Sequence, residues 1–145
     1  MKKLISFILI WIMMLGIAPT VLAAERATIY IAAASIYQTY SEGRSPLTGI
    51  GQQLGEFMPE TITISNHAMS GRSTKSFIVE GRLEVILNQI RKGDYLIVSF
   101  AHNDQSADEY LSTQTETTYK EYLRQYVDGA RKKGATAILV SAMER

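Results

Sequence analysis

Residues 28–38 read Thr28-Ile29-Tyr30-Ile31-Ala32-Ala33-Ala34-Ser35-Ile36-Tyr37-Gln38, and they limit the fold more tightly than any other stretch. After the charged pair Glu25-Arg26, β-branched, aromatic and small apolar residues run on and then give way to small residues ending in a hydroxyl. Such side chains suit the enclosed, pleated surface of a sheet, so the run predicts a buried first strand. In an open α/β sheet, ligands collect beyond the carboxyl ends of the strands. Ser35 therefore stands either where a nucleophile is placed or as a small residue in a strand-to-helix turn.

The rest of the chain supplies partners for that strand. Residues 41–48, polar and containing Gly43 and Pro46, predict a loop; residues 49–58 predict a short helix, and Thr61-Ile62-Thr63-Ile64-Ser65 a second strand. Leu83, Ile86, Leu87 and Ile90 fall on one helical face, and Gly93 after Arg91-Lys92 marks the helix end. Asp94 then opens Tyr95-Leu96-Ile97-Val98-Ser99-Phe100, whose nearly continuous apolar character predicts a strand covered on both faces. Thr118 and Glu121 predict a capping box for the next helix. On that helix Tyr119, Tyr122, Leu123, Tyr126, Val127 and Ala130 share a face, a spacing that places the tyrosines in a core, before Gly134 closes it. Ala137-Ile138-Leu139-Val140 predicts the last strand. Strands and helices in strict alternation predict an α/β fold with a parallel sheet and right-handed crossovers.

Residues 1–23 have a different character. Lys2-Lys3 precedes an almost wholly apolar run over residues 4–17, Pro19 breaks it, and Val21-Leu22-Ala23 offers small residues to a signal peptidase. The run is short for a membrane anchor, which wants about 20 apolar residues. An export signal cut near Ala23 or Ala24 is expected, with a secreted or periplasmic product that makes no membrane contact after cleavage. The remaining residues 24–145 are then roughly 120, enough for one modest domain. With no cysteine, that domain depends on core packing rather than disulfides. Net charge is +1 and no basic tract interleaves with aromatics, which excludes a nucleic-acid surface.

Three loops follow the first three strands: Ala33-Ala34-Ser35, then Asn66-His67-Ala68-Met69-Ser70-Gly71-Arg72-Ser73, then Ala101-His102-Asn103-Asp104. Ester hydrolysis by serine needs a hydroxyl nucleophile, donors aimed at the developing oxyanion, and a base. Ser35 can supply the hydroxyl. Its own amide, the Gly71 amide and the Asn103 carboxamide can supply donors. Asp104, Asp108 and Glu109 read as an acidic surface loop.

These blocks, in this order, resemble the SGNH or GDSL hydrolases. The run from Asn66-His67 through Gly71-Arg72-Ser73-Thr74-Lys75-Ser76-Phe77, with Gly81-Arg82-Leu83 and Gly93-Asp94-Tyr95, looks like their rhamnogalacturonan acetylesterase branch. The resemblance implies a three-layer α/β/α, flavodoxin-like sandwich. It matches Ser35 to the nucleophile and Gly71 and Asn103 to the oxyanion hole, and it implies removal of acetyl groups from pectic polysaccharide without metal or organic cofactor, by a monomer. His67, Arg72 and His102, in the same loops, are the candidates for substrate contact. The chain departs from the family at Ala33 and Ala34, where Gly-Asp precedes the serine, and at Ala101, where glycine is usual. It also ends at Arg145, before the point where the family carries its catalytic Asp and His three residues apart. Three readings follow: a shortened carbohydrate esterase, a non-catalytic relative that binds acylated sugar, and a truncated product. The first is expected to have little activity for lack of a base, and the domain is expected to be incomplete at its C-terminal end, with an exposed sheet edge.

Overall fold

In the computed structural model, which describes residues 26–41 and 46–141, strand β1 (Ala27–Ala33) is held on both sides. One neighbour is β2 (Ile62–Asn66), the other β3 (Tyr95–Ser99), and β4 (Thr136–Leu139) pairs with the far side of β3. The order is β2-β1-β3-β4, with every pair parallel. The expected export segment, residues 1–23, lies outside the described residues.

Alternation along β1 divides the core in two. Tyr30 and Ala32 face one way with Leu96, Val98 and Phe100, under the helices α2 (Thr74–Val79), α3 (Arg82–Leu87) and α4 (Thr118–Lys132). Phe77, Leu83, Ile86, Tyr126 and Ala130 descend from those helices onto this face. Phe77, Phe100 and Tyr126 form an aromatic cluster, with ring centroids 5.3 to 6.2 Å apart and the closest pair edge-to-face. Ile31 and Ala33 face the opposite way, with Tyr37 and Ala68, and Leu54, Ile64 and Ile97 pack around them. This second face is covered by α1 (Ile50–Gln53) and the 3-10 turn Leu54–Phe57 that continues it. The result is the three-layer α/β/α arrangement with a parallel sheet, its second layer thin.

Several local expectations are corrected by the packing. The helix expected over residues 49–58 is one α turn followed by a 3-10 turn. Helix α2 was not legible as a helix. It begins at a capping box in which Ser73 and Ser76 exchange side-chain and backbone hydrogen bonds. The box expected at Thr118 and Glu121 does not form: Thr117 is the N-cap, its side chain makes no capping bond, and Thr118 Oγ1 instead accepts from Gln114 N at 2.8 Å. Strand β3 is not enclosed on both faces, since Leu96 and Val98 are buried while Ile97 is only half-buried. Gly134 closes the turn after α4 at φ 77°, where the sequence places that helix end. Helix α3, however, stops at Leu87, well short of Gly93, so Ile90 lies beyond the helix and Gly93, at φ 90°, turns the chain into β3. Tyr126 is fully buried in the core, as its spacing on α4 predicts, and donates its hydroxyl to Thr74 O at 2.8 Å. No helix among the described residues is long and apolar enough to cross a membrane.

Strand β4 is an edge of the described sheet, with Ile138 40% and Leu139 52% exposed. An apolar edge with open backbone groups promotes pairing between copies. Leu139→Lys is expected to reduce concentration-dependent association while leaving the unfolding midpoint nearly unchanged, as read by light scattering and urea denaturation. Association undiminished by the lysine would remove β4 as its cause.

Candidate active site

Because β1 and β3 are neighbours, and the chain leaves β1 toward the α1 layer but leaves β3 toward α4, the topology makes the region beyond their carboxyl ends a switch point, the place where such sheets form a crevice. Ser35 enters it directly. Ala34 N donates to Ser99 O at 3.3 Å, extending the pairing by one residue, and the 3-10 turn Ser35–Tyr37 follows. The Ser35 carbonyl accepts from Gln38 N at 3.2 Å and from the Tyr40 hydroxyl at 3.0 Å. Among the described residues nothing hydrogen-bonds its hydroxyl. Asn66 fastens the next residues, donating from Nδ2 to Tyr37 O at 2.8 Å and to Thr39 Oγ1 at 3.0 Å. Gly51 lies so close beneath that a Cβ there would meet Tyr37 O at 2.5 Å and Asn66 Nδ2 at 2.7 Å.

The second loop prolongs β2 along β1, with His67 N donating to Ile31 O and Met69 N to Ala33 O, both at 3.0 Å. Ser70 N donates to the Gln38 side chain, so the serine turn and this loop are joined twice. Gly71 follows at φ 75° with open space around it, so the backbone conformation rather than crowding asks for glycine. The Arg72 guanidinium is occupied internally: Nε donates to both carboxylate oxygens of Glu80 at 3.0 and 3.1 Å, and a terminal nitrogen donates to Ser70 O at 2.9 Å. Arg82 reaches the same Glu80 carboxylate. Burial alone would raise the Glu80 carboxyl, but hydrogen bonds and charge from Arg82 and Arg72 outweigh it and hold Glu80 below the ordinary carboxylate range.

The third loop is tied to the second by two adjacent residues. Asn103 Nδ2 donates to Arg72 O at 2.8 Å, which ties its carboxamide to the Arg72-Ser73 peptide, just past Gly71, and leaves the second amide hydrogen for a ligand. Asp104 is not the surface acid expected from sequence. It is 4% exposed and accepts from Thr74 N at 3.1 and 3.2 Å, from the Thr74 hydroxyl, and from Thr113 Oγ1 at 3.2 Å. Burial pushes its carboxyl above the ordinary value, against the opposing pull of the Thr74 and Thr113 hydrogen bonds. Asp108 and Glu109 are exposed, as expected. Sequence reasoning missed Gln38, Asn66, Glu80 and Asp104; for Asp104 the signal was its place directly after Asn103.

No family model matches the chain. It is 45% identical over 118 residues to the probable rhamnogalacturonan acetylesterase YesY of Bacillus subtilis strain 168, covering 81% of this chain and 54% of that protein. It is 36% identical to the rhamnogalacturonan acetylesterase RhgT of the same organism, covering 81% of this chain and 49% of the relative. The crystal structure of the Bacillus subtilis protein YxiM superposes with a TM-score of 0.75 at 30% identity, over 83% of this chain and 34% of that one. The chain belongs to the SGNH hydrolase superfamily, in its rhamnogalacturonan acetylesterase-like branch. It spans about half the length of the two named acetylesterases that it matches.

In this SGNH chain the two histidines are placed differently from one another. The His67 ring lies back over the sheet, with Nε2 3.0 Å from Ser65 Oγ and the ring stacked on Tyr30 at 6.0 Å. Burial, and then the Arg82 charge, lower its pKa below the ordinary 6.5. His102 is exposed at the entry to the 3-10 turn Asn103–Gln105. Ala33 is buried in the α1-side core and Ala34 packs against the helix-side core, so both methyl groups are used. Ala101, where glycine is usual, has φ 156°. Among the described residues no group of three His, Cys, Asp or Glu is placed to hold a metal ion.

Two outcomes follow. A positive φ at a non-glycine residue costs on the order of 1–3 kcal/mol, and glycine loses part of that gain through its freer unfolded chain, so Ala101→Gly is expected to stabilise the fold by about 1 kcal/mol in urea unfolding. A destabilising result would show that the alanine backbone is relaxed there. For His67, the lowered pKa means that the unfolded chain binds its proton more readily than the folded one, so stability falls as pH drops below 6.5 toward the folded value. His67→Gln should flatten that part of the pH profile, and an unaltered slope between pH 5 and 7 would assign it to other groups.

Proposed function

We propose that this SGNH chain carries the nucleophile and oxyanion donors of an exported carbohydrate esterase acting on acetylated rhamnogalacturonan. Ser35 Oγ attacks the acetyl carbonyl, and the oxyanion so formed accepts from the Ser35 amide, the Gly71 amide and the free Asn103 Nδ2 hydrogen. The C–O bond to the sugar breaks as its oxygen takes up the proton given up by Ser35, which leaves a neutral sugar hydroxyl and an acetyl-serine, and water then hydrolyses the acetyl-serine to acetate and free serine. The observation that carries this reading is the Asn103 Nδ2 bond to Arg72 O, which ties the carboxamide to the loop that contains Gly71. The acetylesterase names of YesY and RhgT support the substrate class. The apolar start of the sequence supports export.

One observation favours a second reading, a relative that binds acylated sugar without turning it over. The His67 ring is engaged with Ser65 and Tyr30, away from the crevice, so it is not placed to take the Ser35 proton. Loss of a triad base lowers rate by roughly 10⁴-fold or more even when the oxyanion hole survives.

The two readings are separated by activity and binding measured on the same protein. Turnover of p-nitrophenyl acetate is expected to fall at least ~10⁴-fold below that of an intact serine esterase. A small alkylboronic acid, which adds to a serine hydroxyl and mimics the tetrahedral intermediate, is expected to shift the NMR signals of the Ser35 and Gly71 amides and the Asn103 side chain. Asn103→Ala should weaken that complex. A boronic acid that leaves these signals unmoved would overturn the site, and fast turnover abolished by Ser35→Ala would overturn the missing-base reading.

A further inference from the structure

At the amino edge of the sheet, opposite the Ser35 crevice, a polar cavity of about 480 Å³ opens between the start of β1, the end of α3 and the turn into β3. That volume lies within the range of small-ligand clefts, roughly 300–1,000 Å³. Arg26, Arg91 and Lys92 line it, with the amides of Asn88 and Gln89 beside them. Among the described ion pairs none joins any of these three cations to an acid. Asp94 also lines the cavity, but its oxygens are bound by Thr28 N and Arg91 N, both at 2.8 Å, so it fastens the turn and does not directly pair with the cations. Tyr30 supplies a further lining group. It is 7% exposed, its hydroxyl makes no hydrogen bond to another described residue, and it lies near enough to Asp94 and Arg91 to feel both charges. The hydroxyl itself is not sealed in, so it is open to donate to, or accept from, a ligand in the cavity.

The mixture of groups narrows the ligand. Three cations against one carboxylate leave a net charge of +2 and favour an anionic ligand, while the remaining lone pairs of Asp94 accept hydroxyl donors. Asn88, Gln89 and Tyr30 both donate and accept, which suits a ligand rich in hydroxyls. We propose that this cavity is a distal subsite for a sugar acid, its carboxylate held by Arg91, Arg26 and Lys92 and its hydroxyls by Tyr30, Asn88 and Asp94. The inference rests on the proposed carbohydrate substrate, since a galacturonan carries such carboxylates. It assigns to the far end of the sheet a grip on the polymer that is independent of the acetyl group.

Titration of the protein with trigalacturonate, followed by amide NMR, tests it. Shifts are expected over residues 26–30 and 88–94, with affinity weakened about ten-fold or more in Arg91→Gln/Lys92→Gln, both exposed positions whose change leaves the core intact. The fully methyl-esterified trisaccharide, of the same size but neutral, is expected to leave these signals unmoved. Tyr30→Phe should weaken binding while preserving the dispersed spectrum of the fold. Equal binding of the methyl ester, equal binding of inorganic phosphate, undiminished affinity in the Arg91/Lys92 variant, or the absence of shifts would each overturn the subsite. The boronic-acid signals at Ser35, Gly71 and Asn103, read in the same spectra, report on the esterase site separately, so failure at one edge is not mistaken for failure at the other.

Discussion

Everything in this domain depends on the enclosure of β1. It is hydrogen-bonded along both edges, by β2 and by β3, and its residues Ile31, Ala32 and Ala33 have no exposed surface. A strand closed on four sides admits only side chains that fit the two layers over it. That limit accounts for the run of alanines at its carboxyl end, where the helix-side core meets Ala32 and Ala34 and the α1-side core meets Ala33. The strand can end only by turning out into the crevice, and the residue at which it turns is Ser35.

The loops around that turn are held by polar groups more than by apolar ones. Ser73, Thr74, Ser76 and Asp104 are all buried, and each has its hydrogen-bond capacity engaged, with no buried side-chain nitrogen or oxygen left unpartnered among the described residues. A network of this kind is stabilising when complete and costly when any member is removed. Asp104 joins the start of α2 to the third loop, and Asn103 joins the same loop to the Gly71 turn. The three loops therefore keep their spacing through hydrogen bonds whose partners are about 30 residues apart in sequence.

That distribution explains which parts were legible in the sequence. The strands were readable because burial writes itself as β-branched and apolar runs, and α4 was readable from the face that carries Tyr126 and Ala130. Helix α2 was not, because its first turn is Thr74-Lys75-Ser76 and its stability comes from a cap and a distant carboxylate, which leave no period of 3.6. The box expected at Thr118 failed for the converse reason: the residue types were present, but the preceding loop recruited the Thr118 hydroxyl for Gln114 N. Of the candidate site residues, Asn103 is tied by a hydrogen bond to the loop that contains Gly71. The head groups of Arg72 and His67 were drawn inward by Glu80 and by Ser65, long-range or local partners that residue type alone does not announce.

The position of β1 in the sheet also has a bearing on how the chain comes to be folded. Among the described strands it is the first to be synthesised, yet its register partners are Ile62 and neighbours on one side and Tyr95 and neighbours on the other. The most apolar strand therefore waits with one edge bare until β2 has been made, and with the other bare until β3 follows. Contacts of such separation pay their loop-closure entropy before any pairing rewards it, which slows folding and lengthens the exposure of intermediates. Until those pairings form, the bare edges of the central strand are open to pairing with other chains.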